Sequence, residues 1–469
     1  MAKNTNIKDF VADLADAIRH KKGTTDLINP QDFANEIRSI KSEDAAVKRK
    51  DVNFYDYDGT LLFSYTTAEA QALSSLPIPE DHPGLIFDGW NWNYEDVVAL
   101  DYPMNIGAMY RTDDGKTRLY LTIEDDNTTI TLNIAGLPSW GELVINFGDG
   151  SDTITTNSSS YTAAHTYTKG EYVLALSANN NSYFSLKGTS LTSNSIGRAN
   201  GKERNALRKV ELGDGCGVGA YAFTRCVNLQ TITCPKSIRQ NTTLGWSDTF
   251  SGCVSLQCVH IPTKAAYIYG MFEYCFNLGI LTMPKEPLHI VNLQNTGLQY
   301  ITFPDGYTGA TLMNSNISEF RFPKAMQSVP GRMFNNCKNI KHIEEPDTVT
   351  SHNAGYTFSD CGALESVVLS QNLTTIKAHD FAGTRALKEV IVPKGVDTIE
   401  TYAFYYCYAE KFDFSQCLQI PTLQNTNAFT YTNADKKIIV PDELYDEWIS
   451  ATNWSTYASF IVKSSEYNE

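Results

Sequence analysis

Ten cysteines, one pair of closely spaced aspartates and one tryptophan run are the residues of this 469-residue chain whose types could support chemistry. Six of the cysteines, Cys226, Cys253, Cys275, Cys337, Cys361 and Cys407, occupy one phase of a repeat, and Thr384 takes that phase once. No CxxC and no Cys/His cluster with zinc spacing occurs, so a thiolate metal site has no ligand set. Disulfides would need pairs at matched geometry, whereas a position that accepts Thr in place of Cys is a small buried core site. The cysteines therefore read as free thiols, which suits folding and assembly in a reducing cytoplasm. The aspartates lie in Phe54-Tyr55-Asp56-Tyr57-Asp58-Gly59-Thr60-Leu61, a spacing that could offer a carboxylate nucleophile and a general acid. Glu124-Asp125-Asp126 could add an acidic magnesium pair. Trp90-Asn91-Trp92-Asn93-Tyr94 has two readings: a platform on which sugar rings stack, or the aromatic core of a small domain. Trp90 and Trp92 are kept as receptor-contact candidates.

The aspartate motif resembles the first motif of haloacid-dehalogenase-like phosphatases. That chemistry requires the motif to end a strand of a doubly wound sheet, with a Lys and several βα units before the acidic pair. Residues 59–123 instead carry turn signals and no clear run of helices, and Asp58-Gly59 is itself a hairpin turn. The chain is read as a non-enzyme that needs no cofactor.

What positions these residues is a degenerate repeat in the C-terminal half. Its copies include Phe223/Cys226/Leu229/Ile232/Pro235, Phe250/Cys253/Leu256/Val259/Pro262, Phe272/Cys275/Leu278/Leu281/Pro284 and Phe334/Cys337/Ile340/Ile343/Pro346. Phe358/Cys361/Leu364/Val367 and Phe381/Thr384/Leu387/Val390/Pro393 follow. Phe223, Phe250, Phe272, Phe334, Phe358, Phe381, Phe404 and Phe429 are separated by 27, 22, 62, 24, 23, 23 and 25 residues. The long interval should hide two copies, at Leu298/Ile301/Phe303/Pro304 and Ile317/Phe320/Phe322/Pro323, both having lost Phe and Cys. Leu207/Val210/Leu212 and Ile438/Ile439/Val440/Pro441 read as end caps. Such a period means a solenoid, whose coils bury their apolar faces against one another and present surface. Ten or so coils at about 4.8 Å would give a face roughly 50 Å long.

The pattern A-F-x-x-C-x-x-L-x-x-I-x-x-P resembles the BspA-like leucine-rich repeats of bacterial surface proteins and gut-phage structural proteins. The resemblance covers 200–463 and includes the closing segment Val440 to Trp454. It implies a binding surface without fixing the ligand. Candidate receptor contacts are the tyrosines that leave the consensus, Tyr267, Tyr269, Tyr307 and Tyr405.

The N-terminal half reads as a series of smaller units, making the chain mainly β and multidomain. Residues 1–42 form a short helix pair with Ile7, Phe10, Leu14 and Ile18 on one face and Phe33 and Ile37 on the next helix. So small a pair must dock onto something. It resembles an N-terminal segment of tailed-phage virion proteins, so these six residues are particle-docking candidates. A linker at 43–51 and a small β-hairpin domain at 52–126 follow. Residues 127–187, with Phe147-Gly148-Asp149-Gly150-Ser151 and His165-Thr166-Tyr167, resemble the PKD-type immunoglobulin-like β-sandwich. Asp149 and Asp152 are read as an acidic turn and not a calcium site, and His165 as a packed strand residue; no metal site is expected.

Apolar residues make up 42%, charged residues 19%, and net charge is −15. That charge opposes nucleic acid and anionic lipid, and no apolar stretch is long enough to span a membrane. No signal-peptide core opens the sequence. The expected function is a phage tail fibre or appendage, assembled in the host cytoplasm and displaying its repeats to a host glycan or protein. The N-terminal segment would bind other virion proteins. Phage fibres also imply by analogy a homo-oligomer, a trimer in that case, although no heptad run demands it. The alternative is an exported bacterial adhesin with the same display logic.

Overall fold

The computed structural model describes residues 49–467 apart from 180–181, 199–200, 237–246, 263–269 and 287–290. The six particle-docking candidates, Ile7, Phe10, Leu14, Ile18, Phe33 and Ile37, lie outside the described residues, as do Tyr267 and Tyr269. Arg49–Glu469 form one compact unit.

The repeat builds a solenoid of short parallel strands. One row comprises Cys258–His260 on Ile280–Thr282, His342–Glu344 on Ser366–Val368, and Glu389–Ile391 on Lys411–Asp413 and Lys437–Val440. A second row pairs Ser328–Val329 with Ser351–His352, and Thr375–Ile376 with Thr398–Ile399 and Thr422–Leu423. Inside, the phenylalanines stack from coil to coil: Phe223–Phe250 at 5.6 Å, Phe250–Phe272 at 5.7 Å, Phe334–Phe358 at 5.7 Å, Phe358–Phe381 at 5.4 Å and Phe381–Phe404 at 5.6 Å. All are fully buried. Each such ring contributes roughly 1.5–3 kcal/mol by leaving water.

All ten cysteines are buried free thiols, as the repeat phase required. Four thiols of the ladder work across the coil boundary, Cys337 among them, donating to Leu312 O at 3.1 Å. Cys253, Cys275 and Cys361 donate to the carbonyls of Phe223, Phe250 and Phe334 in the preceding coil, at 3.0, 3.1 and 3.0 Å. The same carbonyls accept the amide of their own coil's cysteine. Burial pushes the Cys337 and Cys407 thiols up to about 11, so they stay protonated.

The two hidden copies are present, with their signature altered. Leu293 and Leu312 occupy the Phe phase: their amides donate to Thr311 and Met333, as Phe250 donates to Met271. Thr296 and Ser315 take the Cys phase, turning their hydroxyls onto Leu293 O and Leu312 O at 2.9 and 2.5 Å. Thr384 does the same on Phe381 O at 2.8 Å. Both copies are one residue shorter before the apolar position, which displaced them from the consensus spacing. At the far end Trp448 and Trp454, 5.3 Å apart, close over Phe414, and Trp454 Nε1 donates to Pro421 O.

The strands from Thr117 onward do not make a core separate from that of the coils. Strand Thr117–Ile123, expected in the hairpin domain, lies between Gly170–Asn179 and Leu207–Glu211 in a six-stranded sheet that continues into Thr231–Thr233 of the solenoid. A second sheet, Ser160–Tyr167, Thr128–Ala135, Phe184–Leu186 and Cys216–Val218, likewise ends on a repeat strand. One hydrophobic cluster runs through both sheets and the coils, from Met109 to Ile461. The divisions expected at 126/127 and between 187 and 200 therefore fall within a shared core.

A four-stranded sheet, Leu61–Tyr65, Val52–Tyr55, Met104–Thr112 and Leu85–Trp90, has its own core around Phe54, Trp90 and Tyr110. Residues Arg49 to Asp51, expected in the linker, already belong to it: Asp51 binds the Thr67 amide and hydroxyl. The sheet lies on the outward positions of the first coils. Asn91 donates to Ile261 O and Thr282 Oγ1, Trp92 Nε1 to Met283 O, and the amides of Asn105 and Tyr110 to Thr302 Oγ1 and Cys234 O. His260 Nε2 bonds Asp56 O at 2.7 Å; because a carbonyl only accepts, the proton sits on Nε2 and Thr282 serves Nδ1. Burial pulls that imidazole down to about 4, keeping it neutral. Gly107 permits the approach, since a Cβ there would stand 2.2 Å from His260 Cγ. A Gly107→Val substitution should cost about 1–3 kcal/mol in urea unfolding through overpacking of this joint.

One charged group interrupts the aliphatic interior. His352 replaces the residue that is Val329, Ile376 and Ile399 on neighbouring coils. Its Nδ1 lies 2.7 Å from Asp380 and its Nε2 2.8 Å from Glu345, with all three side chains fully buried. The carboxylates also accept the amides of Thr357, Lys377 and Ser370. Burial opposes the imidazolium, but Asp380 and Glu345 outweigh it and push the group up to about 10. A folded pKa above the unfolded value of about 6.5 stabilises fully below the latter. That stabilisation is lost as pH rises through about 10. Unfolding at pH 6 and pH 10.5 should show the loss, and it should be absent in a His352→Ile, Glu345→Leu, Asp380→Ala triple variant. His352→Ile alone should cost about 3–5 kcal/mol, because it strands two buried carboxylates.

Candidate binding face

The coils turn sharply beside the Phe-phase residue, after it in the left-handed region and, in most coils, before it as well. The position two before it includes Arg332, Tyr356, His379 and Tyr402. The position two after it includes Asn295, Asn314, Asn336, Asp360, Gly383, Tyr406 and Tyr431. Gly, Asn and Asp enter this region cheaply; other L-residues lose roughly 1–2 kcal/mol there. The middle coils use the cheap solution, and their amides form a ladder: Asn314 Nδ2 to Asn295 Oδ1 at 3.0 Å, Asn336 Nδ2 to Asn314 Oδ1 at 2.7 Å.

The last coils do not. Tyr356, His379, Tyr402, Tyr406 and Tyr431 hold φ values of 57°, 59°, 59°, 54° and 57°. Stacking recovers part of the strain. Tyr356 and His379 rings are 4.4 Å apart at 11°, His379 and Tyr402 5.1 Å at 22°, and Tyr406 and Tyr431 4.8 Å at 19°. The Arg332 guanidinium sits 4.8 Å over Tyr356. Burial in this stack lowers the His379 imidazole below its ordinary range, so a neutral ring is sandwiched. Tyr405 stands edge-on to Tyr402, Tyr406 and Tyr431 and locks the group. The outer surface stays open: Tyr431 is 59% exposed and Tyr408 44%.

Beside these rings lies a trough of 490 Å³ lined by Asn336, Lys338, Asp360, Gly362, Ala363, Gly383 and Arg385. Gly383 forms part of its floor by conformation as well as size, with φ 73° and room for no Cβ, which would fall 2.5 Å from Asp360 Oδ1. The arrangement offers ring faces, hydrogen-bonding groups and charge on one rigid surface.

Of the contact candidates, Tyr405 belongs to this face. Tyr307 does not: it is buried, and its hydroxyl is within hydrogen-bonding reach of Pro284 O (3.2 Å) and Glu286 O (3.3 Å), so it is a core residue of its coil. Trp90 and Trp92 are each only 2% exposed. Their edges reach a 420 Å³ groove beside Ile78 and Tyr94, but their indole nitrogens are spent on Pro77 O and Met283 O, so neither presents a ring face to a sugar. The sequence missed Tyr356, His379, Tyr402, Tyr406 and Tyr431, although their positions two residues from each Phe were visible.

The acidic motifs are absorbed by local structure. Asp56 holds His82 at 2.8 Å, Asp58 caps the Thr60 amide, and Gly59 turns the chain at φ 92° between antiparallel strands. Glu124 and Asp125 pair with Arg208 and Lys202 at 3.0 and 2.8 Å. Asp149 accepts Ser151 and binds His165 Nε2, which together draw it down to about 2, while the His165 ring stacks on Phe147 at 4.1 Å.

Fold and face together define a parallel-stranded repeat solenoid with an aromatic surface. Residues 203–311 and 309–435 match the family described as BspA type leucine-rich repeat region, in six copies, and the chain carries such a region. Similar solved structures include a leucine-rich repeat protein from Bacteroides ovatus, at 21% identity over 55% of this chain and 66% of that one, TM-score 0.41. Others are a leucine rich cell surface protein from Faecalibacterium prausnitzii, at 19% over 48% and 76%, TM-score 0.30, and the pneumococcal vaccine antigen PcpA, at 14% over 53% and 77%, TM-score 0.29. The chain spans just under two thirds of the first of these. No curated protein matches it.

Replacing Tyr406 by Asn should leave the urea midpoint unchanged or raised, since Asn fits the turn. Phe404→Ala, two residues away in the core, should lose about 3–5 kcal/mol.

Proposed function

We propose that this chain is a non-catalytic display protein whose repeat region binds a receptor on a host cell surface, carried as an appendage of a tailed-phage virion. The observation that carries the binding role is the stacked pair of half-buried Tyr406 and exposed Tyr431, held in a costly backbone conformation at the turn where the three preceding coils use Asn336, Asp360 and Gly383. Strain kept at a surface without need of the fold marks a site kept for contact. The virion assignment rests on the resemblance of the N-terminal segment, and ten buried thiols suit folding in a reducing cytoplasm. In this reading the N-terminal segment binds other virion proteins, the two sheets that precede the coils in sequence act as a PKD-like spacer, and a homo-oligomer, a trimer by analogy with fibres, multiplies weak contacts into avidity.

A BspA-type repeat region serves an exported bacterial adhesin equally well, which makes that the second reading. Immunogold labelling of lysate particles with an antibody to residues 200–463 separates the two. Gold on virion appendages is the expected result; gold on cell envelopes with bare particles would replace the phage reading by the adhesin.

A further inference from the structure

We propose that the trough on the last coils is a binding site for an acidic glycan, a polymer of uronate or sialate sugars; this rests on the display reading and specifies its ligand. Three features point to that chemistry. The first is the aromatic surface that continues the trough. Tyr406, stacked on Tyr431, and the exposed Tyr408 follow the trough residues on the next coils, at the same two repeat positions as Asp360/Gly383 and Gly362/Arg385. Sugar rings present C–H faces that pack on such aromatic surfaces, and the phenol hydroxyls remain for hydrogen bonds.

The second is shape. The floor is Gly362, Ala363 and Gly383, and a Cβ on Gly362 would meet only open space. Two coils at about 4.8 Å each make a floor on the order of 10 Å wide, the width of a sugar chain, and it is open along its length. A protein partner would need an apolar centre to its interface. Gly and Ala backbone walled by Asn336, Lys338 and Asp360 does not provide one.

The third is charge. The lining holds two cations, Lys338 and Arg385, against one carboxylate, Asp360, on a chain whose net charge is −15. Among the described residues neither cation is held in an ion pair, so both are free to meet a ligand. Lys341 and Lys377, by contrast, are matched across coils with Glu365 and Glu400. An unmatched positive trough on an acidic protein selects carboxylate-bearing sugars, with Arg385 able to bind a carboxylate through two N–H groups.

Isothermal titration of the full chain with hexagalacturonate and with an α2,8-linked sialic acid hexamer, beside maltohexaose and cellohexaose, tests this. At least one acidic hexamer should bind, with affinity falling on added salt. Tyr406→Asn and Arg385→Gln should each weaken it about tenfold. Asn is the residue used at this turn in three other coils, so the first variant keeps the backbone. The proposal is overturned if neither acidic hexamer binds, if neutral hexaoses bind as well, or if both variants bind like the parent. Adhesion to cells of the source culture separates the two levels. Parent and variants adhering alike, in a protease-sensitive way, would replace the glycan by a protein partner and leave the display reading standing. No adhesion by the parent chain would remove the display reading itself.

Discussion

Four junctions of the repeat region are tied through one backbone carbonyl each. The carbonyl of the Phe-phase residue accepts the amide three residues on, which closes its own turn, and the thiol of the following coil, which joins the two turns. A carbonyl has two lone pairs, and both are used. Cys suits the second role because its sulfur is long enough to reach the neighbouring coil and apolar enough to sit among phenylalanines. Thr296, Ser315 and Thr384, with shorter hydroxyls, turn back to their own coil, so those junctions rely on packing and the strand ladder. The Phe stack keeps its spacing at both kinds of junction, 5.7 Å at Phe334–Phe358 and 5.4 Å at Phe358–Phe381.

That regularity explains how much was readable in the sequence. The Phe-x-x-Cys spacing repeats because the joint repeats, so the solenoid, its buried thiols and its Trp-capped end could be read directly. The two degenerate copies were located but not understood: a one-residue deletion and the exchange of Phe for Leu hid Leu293 and Leu312 in their true phase. Sheet membership was less legible for a different reason. Strand alternation shows that Thr117–Ile123 is a strand, not which sheet receives it, and its neighbours lie at both Gly170–Asn179 and Leu207–Glu211. Trp90 and Trp92 misled similarly, since a tryptophan pair looks the same in sequence whether it faces a sugar or a neighbouring coil.

The binding face was only partly legible because its signal is an exception. Left-handed turns ask for Asn, Asp or Gly, and tyrosine there reads as noise until the backbone is known. Tyr405 was found because it leaves the consensus; Tyr402, Tyr406 and Tyr431 needed their φ values. His352, Glu345 and Asp380 are the interior counterpart. Each occupies a position that is apolar, or neutral and small, on its neighbours, each comes from a different coil, and only their meeting makes sense of them.

The sheet that grips the first coils also sets an order of events. Its hydrogen bonds to Ile261, Thr282, Met283, Thr302 and His260 close over 170 to 204 residues of intervening chain. Loop closure over such distances is entropically costly and slow. A ribosome delivers residues 49–112 first, yet Asn91, Trp92 and Asn105 have nothing to hold until the coils up to Thr302 have emerged and stacked. The grip is therefore the last joint of this part of the molecule to form, and its completion certifies that the coils beneath it are in register.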